Sequence, residues 1–255
     1  MPVMTAKAVR SKPETDWRPE AAMVLAAGLG TRMRPLTDHV PKPLVQVKSR
    51  ALIDHALDRI GEAGIGRAVV NVHYMADIIS KHVAGRKVPQ IVISDERDAL
   101  LGTGGGVVRA LPKLGSGAFL IHNSDSTWLE GVGTNLARLC DAWDDERMDF
   151  LLLVSLASWS VGYDGLGDFN MGPDGLLVRR EERMMSPFAF TGVSIAHPRA
   201  FKNVPAGPFS LNKLWDHAIE RKRLYGVRLD GTWMHIGTPE AVTAAERRID
   251  EPHGN

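Results

Sequence analysis

The sequence predicts an α/β fold: a mixed, mainly parallel central sheet flanked by helices on both faces, with a smaller antiparallel region in the second half. Three observations predict it. From Ala21 onward, short apolar runs alternate with amphipathic stretches, the strand, helix, strand order of a sheet with parallel strands. Glycine-rich turns follow or precede these runs at Gly28-Leu29-Gly30 and at Gly102-Thr103-Gly104-Gly105-Gly106. After about residue 150 strand-length pieces are separated by polar loops and the tight turn Pro173-Asp174-Gly175, which reads as more antiparallel.

Each element follows from local pattern. Residues 1–20 mix Lys, Arg, Glu and Thr with prolines and no periodicity, and read as a flexible N-terminal arm. Residues 21–27 form a buried strand ending in the first glycine turn. Leu52, Ile53, Ala56, Leu57 and Ile60 recur at helical spacing, with Gly64 as the stop. A strand over 68–72, a helix over 76–83, a strand over 90–94, a helix over 102–111 and a strand over 118–122 follow, then a helix over 135–143 and the apolar run 150–156. In the second half, strand-like pieces at 167–171, 176–180 and 188–196 precede a helix over 211–222, a strand over 226–229, the segment 232–236 and a terminal helix from Pro239. No Pro-, Gly- or Ser-rich linker separates two units, so residues 21–255 are expected to form one domain with halves at 21–150 and 151–255.

Composition excludes several functions. Of 255 residues, 31 are Lys or Arg and 30 are Asp or Glu, a net charge of +1 that offers no bulk field for nucleic acid or an anionic membrane. Any anion must be gripped locally. The single Cys140 excludes an internal disulfide and a cysteine-cluster metal site, and fits the cytoplasm. The longest apolar stretches fall far short of the ~20 residues that span a bilayer.

The strongest motif is Leu25-Ala26-Ala27-Gly28-Leu29-Gly30-Thr31-Arg32-Met33-Arg34-Pro35, followed by Pro41-Lys42-Pro43. Small residues after a strand let backbone N–H groups approach phosphate oxygens, and Thr31 and Arg32 add a hydroxyl and a forked cation at the same place. Gly-x-Gly alone also fits an ordinary turn. The prolines around Lys42 are expected to hold it on a stiff extended segment and so to aim it. The motif is not a Walker A loop, and the third glycine of a dinucleotide fingerprint would fall at Met33.

A second motif, His122-Asn123-Ser124-Asp125, stands where the strand over 118–122 ends. Ligands collect beyond the carboxyl ends of strands in such sheets, so Asp125 is placed to hold a divalent cation against phosphates, although an isolated Asn-x-Asp also fits a turn. The third motif, the glycines at 102–106 with Asp95 and Glu96 before them, puts bare backbone at a helix start where a base or ribose edge can approach.

Together these residues resemble the sugar nucleotidyltransferase family, which joins a nucleoside triphosphate to a sugar 1-phosphate and releases pyrophosphate. The resemblance runs from about Ala21 to Ala245. Through Thr103-Gly104-Gly105-Gly106, Gly167-Asp168-Phe169, Phe190-Thr191-Gly192-Val193-Ser194 and Gly231-Thr232-Trp233 it extends to the small N-acetylmuramate-1-phosphate uridylyltransferase and mannose-1-phosphate guanylyltransferase-like members. It implies a Rossmann-like fold with a nucleotide-binding half and a sugar-binding half. Arg32, Lys42 and Asp125 would be catalytic. The nucleotide would meet Leu25, Ala26, Ala27, Gly28, Gly30, Thr31, Arg32, Glu96, Thr103 and Gly104, and the sugar Asn123, Asp168, Asn170, Gly192 and Trp233.

The implied partners are UTP, or GTP, and a sugar 1-phosphate, with Mg²⁺ or Mn²⁺ as cofactor, and no nucleic acid or membrane. Two departures stand out. The family's Asn-Gly-Asp is Asn123-Ser124-Asp125 here, and His235 occupies the usual place of a second metal-binding aspartate. Imidazole suits softer cations better than Mg²⁺, so His235 fits either a metal ligand or a packing partner of Trp233. The glutamate-lysine-proline motif of larger members is missing. Arg179, Arg180, Arg183 and Lys213 are the nearby cations that could replace it. Two other readings remain open: a nucleotide-sugar-binding regulatory module, and transfer to a non-sugar phosphate such as phosphocholine.

Overall fold

The structure is a computed structural model that describes residues 17–204 and 207–251. In chain order its strands are β1 (Ala21–Leu25), β2 (Gln46–Val47), β3 (Arg50–Ala51), β4 (Arg67–Val72), β5 (Gln90–Asp95), β6 (Phe119–Asn123), β7 (Ser126–Glu130), β8 (Phe150–Leu156), β9 (Phe169–Met171), β10 (Leu177–Arg179), β11 (Phe188–Ala196), β12 (Leu224–Arg228) and β13 (Gly231–His235). The helices are α1 (Leu52–Glu62), α2 (Ala76–Val83), α3 (Gly102–Leu114), α4 (Asn135–Ala142), α5 (Asn212–Glu220) and α6 (Pro239–Asp250).

The main sheet runs β5, β4, β1, β6, β11, β8, β12. All neighbours are parallel except at β11, which runs against both β6 and β8. The hairpin of β9 and β10 joins at Phe188 of β11. The second half is thus less antiparallel than the turn chemistry suggests, because β12 lies parallel to β8.

Strand parity sorts the core. Ala22 and Val24 point to one face with Ile53, Leu57 and Ile60 of α1, Ile79 of α2 and Leu139 of α4. Ala21 and Met23 point to the other, with Val107 and Ala110 of α3 and Trp215 and Ala218 of α5. Period two in a strand and about 3.6 in a helix produce this division directly. Each fully buried Ile or Leu contributes roughly 1.5–3 kcal/mol to holding the layers together.

A separate ribbon pairs β7 with β13, Trp128 opposite Trp233. Local pattern predicts no strand at 126–130, where Ser126 and Thr127 break the apolar run yet are buried. Residues 1–16 of the expected arm lie outside the described residues. Trp17 stacks on Trp143, with ring centroids 6.1 Å apart, and Arg18 pairs with Asp141 at 3.0 Å, so the chain is tied to α4 before β1 begins. Among the described residues no helix is long and apolar enough to cross a membrane.

Candidate active site

Gly30 begins the site with a left-handed φ of 67°, and a Cβ there would come within 3.0 Å of Lys42 Cβ. Only glycine meets both conditions without strain. The turn it opens, Thr31–Met33, is anchored by Met33, which is buried with Val47, Leu52, Met234 and Ile236. Thr37 Oγ1 donates to Gly30 O at 2.9 Å. Arg32 is thereby presented at the exposed rim.

Pro41 is extended, but Lys42–Leu44 forms a single helical turn closed by Val45 N–H on Lys42 O at 3.0 Å. This differs from the extended segment anticipated for Lys42. Pro43 lies in the first turn, where its missing N–H leaves no helical bond unmade. The lysine is aimed all the same: its Nζ donates to Asp125 Oδ2.

Asp125 is brought there by β6. Ser124 N–H donates to Leu25 O at 3.1 Å, which stitches the turn after β6 to the end of β1. Burial pushes His122 down to about 4, so it is neutral, and it stacks on Trp128 at 5.7 Å. It supports the turn from behind.

Three hollows adjoin at this point. The first, about 640 Å³, runs along Leu25, Ala26, Ala27, Gly28, Asn71 and Thr103 to Lys42 and Asp125. The second, about 1120 Å³, is lined by Asn123, Asp168, Gly192, Trp233 and His235 among others. The third is small and polar, between Gly28, Gly30, Thr31, Arg32, Lys42 and Asp125. Lys42 and Asp125 face the first and third, Arg32 the second and third, and Asn123 the first and second. Two ligand-sized hollows that meet at a shared cluster of cations and a carboxylate can hold two phosphorylated molecules with their phosphates together.

The second hollow is shaped by an irregularity in β11. Its register against β8 shifts between Phe190 and Val193, and Gly192 takes a φ of +91°, with Asn123 Nδ2 3.0 Å from where a Cβ would be. Bulges of this kind re-aim a strand beside a site. Asp168 Oδ2 accepts from Phe190 N–H at 2.8 Å. Trp233 packs between Tyr163 and His235, each ring 5.5 Å away. His235 is held below its usual range by burial, against the pull of Asp125, with Lys42 and Arg32 adding to the lowering.

The sequence model of the MobA-like NTP transferase domain matches residues 22–200. The chain belongs to the MobA-like NTP transferase family. It is 46% identical over 237 residues to the N-acetylmuramate alpha-1-phosphate uridylyltransferase of Caulobacter vibrioides, covering 91% of this chain and 98% of that one. It is 33% identical over 221 residues to the protein of the same name from Neisseria meningitidis, covering 85% and 93%. Among solved structures, a putative glucose-1-phosphate thymidylyltransferase from Bacillus anthracis in complex with a sucrose superimposes with a TM-score of 0.74 at 16% identity, over 92% of this chain and 97% of that one. That likeness is one of fold, and it extends the family's architecture across the second half.

Within this family member most residues singled out by motif border the hollows: Leu25 to Gly28, Gly30, Thr31, Arg32, Thr103, Asn123, Asp168, Gly192 and Trp233. Three do not. Glu96 is completely buried, and its Oε1 accepts from Asn71 Nδ2 at 2.9 Å. Its place is behind the first hollow, not in it. Gly104 is buried because a Cβ there would come within 2.2 Å of the Phe209 ring, so its missing side chain makes room for packing. Asn170 lies on the exposed face of β9.

Motif reasoning missed Asn71, whose Oδ1 accepts from Ala26 N–H at 2.7 Å and whose Nδ2 is held by Glu96. The Ala26 N–H is therefore committed to the protein. A lone Asn within Val69-Val70-Asn71-Val72 was the available signal. Of the cations considered for the acceptor, Arg180 is spent on Gly167 O, Glu181 O and Met184 O, and Arg183 and Lys213 are exposed outside the hollows. Arg179 lines the second hollow.

Proposed function

We propose that this chain joins UTP to N-acetylmuramate 1-phosphate, giving UDP-N-acetylmuramate and pyrophosphate in the cytoplasm as part of cell-wall precursor supply. The observation that carries this reading is the pairing of Lys42 with Asp125 where the three hollows meet. The names of the two relatives support the choice of base and sugar.

The chemistry requires charge management more than bond-making groups. Two like charges about 4 Å apart repel by roughly 4 kcal/mol at an effective dielectric of ~20, and ~1.4 kcal/mol is tenfold in rate. Local cations must offset this. The nucleoside lies along Leu25 to Gly28 and Thr103, and Lys42 meets the α-phosphate and the incoming phosphate. Arg32 grips the departing β- and γ-phosphates. An oxygen of the already ionised sugar phosphate attacks the α-phosphorus, a new P–O bond forms, and the bond to the β-phosphate oxygen breaks in line. No side chain acts as nucleophile.

Among the described residues no group of three or more His, Cys, Asp or Glu is arranged to hold a metal. Asp125 and a neutral His235 suit a divalent cation that takes one or two protein donors and completes its shell with phosphate oxygens and water, Mg²⁺ or Mn²⁺. When bound it supplies positive charge to the phosphoryl oxygens.

The test is pyrophosphate release by purified protein with each NTP against N-acetylmuramate 1-phosphate, mannose 1-phosphate and phosphocholine, in Mg²⁺ and in Mn²⁺. Release with UTP and N-acetylmuramate 1-phosphate is the expected result. Release only with GTP and mannose 1-phosphate, or only with phosphocholine, would replace the acceptor assignment. Binding without release in any arm would make the protein a sensor.

A further inference from the structure

The geometry points to Arg179 as the receptor for a second anionic group on the acceptor sugar, a carboxylate. Arg179 ends β10 and lines the hollow that also holds Asp168, Gly192 and Trp233. Its guanidinium lies over the Phe169 ring, 4.8 Å from the centroid, and 5.7 Å from that of Trp215. Its Nε donates to Asp216 Oδ1 at 2.7 Å, and Nη2 donates to Asn212 O at 3.2 Å and to Asn212 Oδ1 at 2.9 Å. Aromatic faces and three hydrogen bonds on one side fix the plane of the fork. Among the described residues Nη1 has no hydrogen-bond partner, so two donors remain for a ligand.

Position separates this cation from those of the phosphoryl centre. Lys42 lines the first and third hollows and Arg32 the third, and Arg179 lines neither of these. It shares only the second hollow, whose other lining cation is Arg32. A sugar 1-phosphate seated in the second hollow, with its phosphate reaching past Asn123 toward Lys42, presents the rest of its ring to the hollow that Arg179 lines. A neutral hexose offers that fork nothing but hydroxyls. A ring carrying a carboxylate offers the acceptor that a planar, pre-oriented guanidinium fits best. The lactyl ether of N-acetylmuramate supplies such a carboxylate, and the inference in that form rests on the acceptor proposed above. Asp168 does not compete for the fork: Oδ2 is committed to Phe190 N–H, which leaves Oδ1 to accept from a sugar hydroxyl or amide.

The experiment compares N-acetylmuramate 1-phosphate with N-acetylglucosamine 1-phosphate, which lacks only the lactyl ether, in wild type, Arg179→Met and Arg179→Gln. UTP-dependent pyrophosphate release gives kcat and KM for each pair. Wild type is expected to prefer the carboxylate-bearing acceptor. Both variants should raise KM for that acceptor roughly 10- to 100-fold, the worth of a charge-assisted hydrogen bond, and leave KM for the neutral one unchanged. Two results overturn the inference alone: variants that keep the wild-type preference, or that lose activity equally on both acceptors. Wild type using both acceptors equally also overturns it and leaves the reaction standing. Absence of pyrophosphate release from wild type with either acceptor overturns the reaction itself, and the inference with it.

Discussion

Lys42 and Asp125, 83 positions apart in the chain, form an ion pair at the mouth of the sheet. One arrives on the turn after Pro41, the other on the turn after β6, and each fixes the orientation of the other. In the proposed reaction a phosphate would replace Asp125 beside Lys42 and a cation would replace Lys42 beside Asp125, so the charges would be in position before the reaction begins.

An ion pair that retains solvent contact is worth little to stability, about 0–1 kcal/mol. Lys42→Met is therefore expected to shift the melting temperature by no more than a few degrees and to lower kcat on the order of 10²- to 10³-fold. Steady-state pyrophosphate release together with thermal unfolding checks both halves. An unchanged kcat would remove Lys42 from the mechanism.

Glu96 gives a prediction of opposite kind. Burial raises its carboxyl above the ordinary value of 4.5, against the pull of the Asn71 bond. A raised carboxyl contributes stability that is complete below the unfolded value and is lost as pH climbs through the folded one, so ionised Glu96 weakens the fold at neutral pH. Glu96→Gln keeps an acceptor for Asn71 and removes the charge. It should raise the melting temperature at pH 7, flatten the stability profile above pH 4.5 and leave turnover intact. Glu96→Ala should lower turnover, because Asn71 then loses its support beside the first hollow. Melting curves of Glu96→Gln that fall below wild type at pH 7 would contradict this assignment.

Asp149 lies just before β8, at the end of the sheet away from the site, and is almost fully buried. Burial pushes its carboxyl up, but hydrogen bonds from Arg223 at 2.8 Å and Arg199 at 2.9 Å outweigh that and leave it below the ordinary 3.8. A depressed carboxyl contributes stability above its unfolded value, lost as pH falls through the folded one. Asp149→Asn should cost about 2 kcal/mol, a fall of roughly 6 °C in melting temperature, with kcat unchanged. Calorimetry at pH 7 and pH 3 measures it, and the wild-type advantage should shrink at the lower pH.

His235 is predicted to tune the metal. With imidazole in place, Mn²⁺ should support turnover at least as well as Mg²⁺, and His235→Asp should shift the ratio toward Mg²⁺ several-fold. Mn²⁺ affinity by electron paramagnetic resonance supplies a second readout. An unaltered metal profile would leave His235 as a partner of Trp233 and Tyr163 only.

Much of this was legible in the chain itself. The apolar runs and helical spacings marked the main layers, because strand parity and helical period are local properties. The residues from Leu25 to Arg32, with Lys42 and Asp125, could be read as a site because loop chemistry at strand ends is also local. What escaped depends on partners distant in sequence. The Gly104 vacancy is understood only when the Phe209 ring is seen filling it, and Glu96 only when Asn71 is seen between it and the hollow. Of the ribbon, the segment over 232–236 was anticipated, but β7 and its pairing escaped because the partner of β7 lies far along the chain. Arg179 looked like one of several surface arginines until α5 brought Asn212 and Asp216 against it.

The proposed reaction is direct transfer between two phosphates gathered by Arg32 and Lys42 beside Asp125, with no covalent intermediate on the protein. The stereochemical course tests it most directly: UTP of defined configuration, with sulfur replacing one α-phosphate oxygen, is turned over with N-acetylmuramate 1-phosphate and the product's α-phosphorus configuration is determined. A single in-line displacement predicts inversion. Retention would mean two displacements through a protein nucleophile, and would contradict direct transfer.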